Sequence, residues 1–184
     1  ELLDLSYADW AAKALQRAEG RSQAAAYMAL AREVDGDAKF EEPQARTLAD
    51  AYAVYLQTAR EDGYSDCTPG RFLLPGEMAG SPALTFAPIP KPQGRKRGSL
   101  WREMERRYDA YTARIVKPFF RDHFSRIDRQ IVLVDALGAI HAGPAALDDL
   151  RRAMTDILSA FRPGRNAWLS RLLLGKRVEK ILFA

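Results

Sequence analysis

The sequence predicts an α/β chain with a large helical part, and three observations predict it. Apolar residues recur at helical spacing before Gly63 and again after Ser99. Two short runs rich in branched apolar residues, QIVLV at 130–134 and ILF at 181–183, lack that spacing and suit strands buried on both faces of a parallel sheet. Between them lies a helical pattern, so the order is strand, helix, strand.

Ser6, with Asp9 three residues on, opens a helix from about Tyr7 to Glu19, with Trp10, Ala14, Leu15 and Ala18 on one face and Gly20 as its stop. Ser22 caps a second helix through QAAAYMALAREV, closing at Gly36. Pro43 suits the first turn of a third, in which Leu48, Tyr52, Tyr55 and Leu56 share a face and Gly63 supplies the stop. From Tyr64 to Gly98, Pro69, Pro75, Pro82, Pro88, Pro90 and Pro92 remove backbone donors. An irregular Pro/Gly-rich link at about 64–98 follows, with a short edge strand around Leu84 to Phe86.

Ser99 caps the next helix, with Glu103 reaching back and Leu100, Met104, Tyr108, Tyr111 and Ile115 as its buried stripe up to Pro118. A short helix starts near Pro118 and presents Phe119, Phe120 and Phe124. After Asp128 come a strand RQIVLVD, a glycine-containing turn, a helix from about Pro144 to Phe161, an amphipathic stretch NAWLSRLLLG and a strand VEKILFA. The division expected is a mainly helical part over 1–127 and a strand–helix–strand part over 128–184. Two strands cannot bury their own faces, so further strands and a longer parent protein are expected.

With 184 residues, 47% hydrophobic and 28% charged, the composition is that of an ordinary folded chain. The net charge of +4 admits anionic partners, but the basic residues are interspersed with acids, and no nucleic-acid partner is expected. Cys67 has no second cysteine, and neither His123 nor His141 stands at metal-ligand spacing from it. No apolar run approaches the ~20 residues of a transmembrane helix, and no signal-peptide pattern opens the chain. A cytoplasmic location is the expectation.

Asp135 closes the apolar run, at the strand end where open α/β sheets gather ligands. A carboxylate there can hold Mg2+ through water beside a triphosphate. Gly138 completes Asp-x-x-Gly, and its bare backbone N–H can approach a terminal phosphate. An Asp after an apolar strand also serves simply to start a turn, and the residues alone leave both readings open.

The string YDAYTARIVKPFFRDHFSRIDRQIVLVDALGAIHAGPAALDDLRRAMTDILSAFRPG, with RVEKILFA, resembles the YcjX-like family of bacterial stress-associated P-loop nucleotide triphosphatases. The resemblance covers the chain from RFLLPGEMAGSPALTF onward, is specific over Lys117 to Asp135, and fits the earlier helices in general character. It implies a fragment of a Ras-like P-loop NTPase parallel sheet plus an all-α insertion. It also implies GTP or ATP as substrate, Mg2+ at Asp135, and Gly138 as the phosphate sensor. Two departures stand out. The chain has no Gly-x-x-x-x-Gly-Lys-Ser/Thr loop, and it stops where the base-reading motif would follow, so the piece alone is expected to be inactive. The water-positioning group is unknown, because Ala139 stands where such enzymes carry glutamine. An alternative reading makes the helical part a protein-interaction module on a degenerate, non-catalytic core.

The remaining candidates carry plainer readings. His141 could position a water or be an exposed loop residue, and His123 suits packing in an aromatic helix. Arg126 and Arg129 flank Asp128 at the wrong strand end for phosphate and suit an ion pair there. Arg95, Lys96 and Arg97 suit a solvated loop, Trp168 with Leu169, Leu172, Leu173 and Leu174 a docking face, and Cys67 a structural thiol.

Overall fold

The structure is a computed structural model describing residues 5–67, 69–74, 76–78, 80–94, 96–123, 129–161 and 180–183. Its backbone falls into two compact units, Glu1–Asp62 with Cys67–Ala113, and Gly63–Asp66 with Arg114–Ala184. The described residues are mostly helical. Among them no helix is long and apolar enough to cross a membrane.

In the first unit, α1 (Tyr7–Ala18) starts at Ser6, whose Oγ accepts the Asp9 N–H at 3.2 Å and donates to the Asp9 carboxylate at 2.6 Å. The helix expected from Ser22 to Gly36 is shorter. A 3-10 turn, Ser22–Ala24, leads into α2 (Ala25–Glu33). Asp35 ends it early, because its side chain accepts the Asp37 N–H at 2.9 Å and offers the backbone a turn in place of another helical residue. α3 (Glu42–Glu61) carries Pro43 in its first turn, and Gly63 follows at φ +90°.

The core of this unit is aromatic. Trp10 stacks on Tyr108 at 5.0 Å, Tyr27 on Tyr55 at 6.2 Å, and Phe86 meets Trp10 edge-on at 5.7 Å. Phe86 belongs to the proline-rich stretch that composition marks as a link. Residues 85–90 are irregular, as expected, yet Phe86, Ala87 and Ile89 are wholly buried. Proline chemistry helps: Pro88, itself wholly buried, has no N–H to satisfy, and the carbonyls of the stretch find partners. The Tyr7 hydroxyl donates to the Ala87 carbonyl at 2.8 Å, the Tyr27 hydroxyl to that of Pro88, and Arg107 Nη1 to that of Thr85 at 3.1 Å.

The edge strand expected at Leu84 to Phe86 does not form. Pro82–Leu84 is a 3-10 turn instead, started by proline and capped by Ser81, whose Oγ accepts the Ala83 N–H at 3.2 Å. Before it come α4 (Gly70–Leu73) and a 3-10 turn, Gly76–Met78.

α5 (Leu100–Tyr111) begins at Ser99, whose Oγ accepts the Arg102 N–H at 3.4 Å. Glu103 does not reach back to it. Its carboxylate accepts from Arg106 at 2.6 Å and from Arg107 at 2.9 Å, because two guanidiniums one helical turn on compete better than one amide. Arg107 also binds Glu42 through both terminal nitrogens, at 2.5 and 3.1 Å, and lies over the Phe40 ring. Nor does the helix simply stop before Pro118. A π-helical turn, Thr112–Val116, leads into α6 (Lys117–His123), widening the spiral where Pro118 can give no hydrogen bond to the preceding turn.

The second unit contains a two-stranded parallel sheet, β1 (Arg129–Val132) and β2 (Lys180–Phe183), in register from Arg129 opposite Lys180 to Val132 opposite Phe183. Between them lie α7 (Ala136–Ala142) and α8 (Pro144–Phe161), packed on one another. β1 is shorter than the seven-residue run expected, because the described ladder with β2 ends at Val132 and Leu133 is exposed. The glycine-containing turn expected after Asp135 is instead α7. The stretch NAWLSRLLLG lies outside the described residues.

Candidate functional site

The short helix α7 is built by its two ends. Asp135 is its N-cap, with Oδ1 accepting the Gly138 N–H at 2.8 Å, and Gly143, at φ +102°, donates to the Ala139 and Ile140 carbonyls to end it. The interior, ALGAIHA, is rich in helix formers. Gly143 then passes the chain to Pro144, a favoured first residue for α8. An aspartate cap and a glycine stop with seven residues between them are the signal that a helix, rather than a turn, lies here.

Asp135 is three residues past the end of β1, beside a parallel ladder, with an exposed side chain. The structure therefore brings together both residues singled out for metal and phosphate. The contact is closer than an ordinary cap. A methyl group on Gly138 would stand 2.7 Å from the Asp135 Cγ and 2.9 Å from its Oδ1. Glycine at this position is called for by the carboxylate at its side, since its backbone is helical.

One exposed carboxylate fits a water-mediated role toward Mg2+, an ion that keeps several waters and takes one or two carboxylates beside phosphate. Among the described residues no group of three His, Cys, Asp or Glu could hold a metal alone. Around the motif the surface is apolar: Ile131, Leu133, Leu137 and Ile140 are exposed, Leu133 at 82%. Ala139, the residue after Gly138, is buried.

His141 stands in the last turn of α7, exposed, ~9 Å along the helix axis from Asp135 at 1.5 Å per residue. His123 ends α6 and Arg129 opens β1, while Arg126, Asp128, Trp168, Leu169, Leu172, Leu173 and Leu174 lie outside the described residues. Of the basic trio, Arg95 is also outside, and Lys96 and Arg97 are exposed. The Lys96 backbone N–H is held by Asp37 at 3.1 Å, as is that of Gly94 at 2.8 Å, so this loop is tied down in its own unit. Cys67 is buried.

Sequence reasoning missed two buried charges, Arg107 in the first unit and Asp149 in the second. Glu103 four residues before Arg107 was a usable helical signal, but Glu42 is remote in sequence. The Arg107 guanidinium holds the Glu42 carboxyl below its usual range, and Arg106, then Arg107, do the same for Glu103. Hydrogen bonding to Glu42 raises Arg107 in turn.

The model of the YcjX-like family, DUF463, matches residues 1–184. Two curated relatives are both named "Ras-like GTPase YcjX". The Escherichia coli (strain K12) protein is 35% identical over all of this chain and 38% of its own length. The Shewanella oneidensis (strain MR-1) protein is 32% identical over all of this chain and 41% of its own length. The chain thus spans about two fifths of the relatives it matches.

Proposed function

Because the chain belongs to the YcjX-like family, DUF463, we propose that it is part of a GTP-binding and hydrolysing, stress-associated protein. In this reading 128–184 is part of a Ras-like P-loop core, 1–127 is a helical insertion toward a protein partner, and the protein works in the cytoplasm. Asp135 holds Mg2+ through water, and the Gly138 N–H receives the terminal phosphate.

The observation that carries the reading is the bonded pair Asp135 and Gly138 beyond the end of β1. Mg2+ bound with the nucleotide supplies charge neutralisation as the terminal phosphate departs. The protein's part is to place a carboxylate near that ion and an amide near that phosphate. In the state described, the same carboxylate occupies the same amide, so the pair is closed on itself. A phosphate at Gly138 would take over the N–H and free the Asp135 carboxylate to face the ion's water shell. Binding and metal positioning are then one exchange of partners.

The test is turnover with Mg2+ titration in the intact parent. Asp135→Asn, nearly isosteric, should reduce hydrolysis at least about tenfold, roughly 1.4 kcal/mol in barrier. Wild-type turnover with unchanged Mg2+ dependence would overturn the reading.

A second reading, favoured by the separate aromatic core of the first unit, makes that unit the working surface on a non-catalytic nucleotide core. Unchanged partner binding by a parent carrying Asp135→Asn would support it.

A further inference from the structure

Asp149 is a charged side chain that the proposed chemistry does not use, yet it is wholly buried. It projects from α8, and its Oδ2 accepts the backbone N–H of Ser65 at 2.5 Å and that of Asp66 at 3.3 Å. Just before these residues, Gly63 follows the end of α3 with φ +90°. A methyl group there would stand 3.5 Å from the Ala142 Cβ. Ala142 is the last residue of α7. Segment 63–66, remote in sequence from both helices, is therefore held by α8 at one point and meets the end of α7 at another.

We propose that segment 63–66 is the receiver of the nucleotide signal, and that Asp149 is the positioning residue that makes it one. The proposal rests on the reading of Gly138 as phosphate-sensing. α7 has seven residues, too few to persist without its cap and its packing. Loss of the Asp135 bond from Gly138 to a phosphate would release the first turn of α7 and displace its far end, where Ala142 faces Gly63. Because Asp149 fixes Ser65 and Asp66 to α8, the segment cannot simply follow α7, and the displacement becomes a change between two arrangements. The chain on one side of the receiver is α3, so the signal enters the helical region at the end of its longest described helix. Coupling of this kind is reciprocal: a partner that moves segment 63–66 changes the affinity for triphosphate by the same factor.

Amide hydrogen exchange in the full-length parent tests this, with GDP and with a non-hydrolysable GTP analogue, both with Mg2+, and with both affinities measured alongside. The Ser65 and Asp66 amides should exchange about tenfold differently between the two nucleotides, within the range of ordinary allosteric coupling. Asp149→Asn keeps shape and one acceptor but loses the charge-assisted bonds, and it should remove most of that difference while GDP affinity stays within about twofold. Gly63→Ala, which disturbs the α7 side through its left-handed backbone, should do likewise and serves if the Asp149 variant does not fold. If both nucleotides bind but the two amides exchange identically, the proposal fails while the phosphate-sensing reading stands. A difference of wild-type size in the variants that fold would show that the contacts are structural only, and would also overturn it. If neither nucleotide binds, both readings fail.

Discussion

Oδ1 of Asp135 stands 2.8 Å from the backbone nitrogen of Gly138 and accepts its hydrogen, so the two halves of the Asp-x-x-Gly motif are bonded to each other. An amide hydrogen has room for one strong acceptor at a time. A phosphate bound at Gly138, as proposed, would compete with the carboxylate for it, and the predictions for this site test that proposal.

Asp135→Ala and Asp135→Asn should separate the two roles of the residue. Alanine removes the cap and should lower the stability of the parent by about 1 kcal/mol, whereas asparagine caps as well as aspartate and should leave it nearly unchanged. If hydrolysis falls equally in both while stability falls only in the alanine variant, the charge is the functional element. Urea denaturation alongside turnover measures both.

Gly138→Ala should leave stability close to wild type. The added methyl group displaces the Asp135 carboxylate, at up to about 1 kcal/mol of capping, while alanine in a helix gains about 1 kcal/mol over glycine. Affinity for triphosphate should fall more than that for diphosphate, since in the proposed reading only the former reaches this amide. Paired titrations with the two nucleotides give the comparison.

Arg107→Lys should destabilise the first unit by about 2 kcal/mol, between the ~1 of an exposed pair and the ~3 of a buried one. A single ammonium cannot span Glu42, Glu103 and the Thr85 carbonyl together. Trp10 and Trp101 lie in the same unit, so tryptophan fluorescence during urea unfolding reports it.

Stability of that unit should have two pH edges. Glu42 and Glu103 have folded-state pKa values below 4.5, chiefly through Arg107 and Arg106 respectively, so the stability they contribute is present above about pH 4.5 and declines as pH falls below it. Tyr7 and Tyr27 are pushed above 10.0 by burial, so their contribution is present below about pH 10 and declines as pH rises past it. Urea midpoints across the range test both edges, and Arg107→Met should flatten the acidic one.

Much of the helical part was legible because the local signals agree with the tertiary result. Ser6, Pro43 and Ser99 start helices where their chemistry says they should, and Gly63 takes the left-handed turn expected after α3. The parallel pairing of β1 with β2 follows the strand–helix–strand order. What sequence periodicity could not carry was competition between partners remote in the chain. Glu103 is drawn to Arg106 and Arg107, and buried carbonyls hold residues 85–88 in place of a strand ladder. At the candidate site both residues were legible by type and spacing, but their bond to each other was not, because it depends on Asp135 capping a helix that was read as a turn.

The buried course of residues 85–89 has a bearing on how this protein can be handled. By composition the stretch invites an engineer to cut it, lengthen it or replace it with a flexible spacer. Its carbonyls are instead the acceptors for the Tyr7 and Tyr27 hydroxyls, and Phe86 lies among Trp10, Tyr108 and Tyr111. A protease should find no entry there in the native protein, and a tag or a split point placed there would take apart the interior. Tolerance of insertion is decided by where a segment's polar atoms are spent, and proline content alone is silent on that.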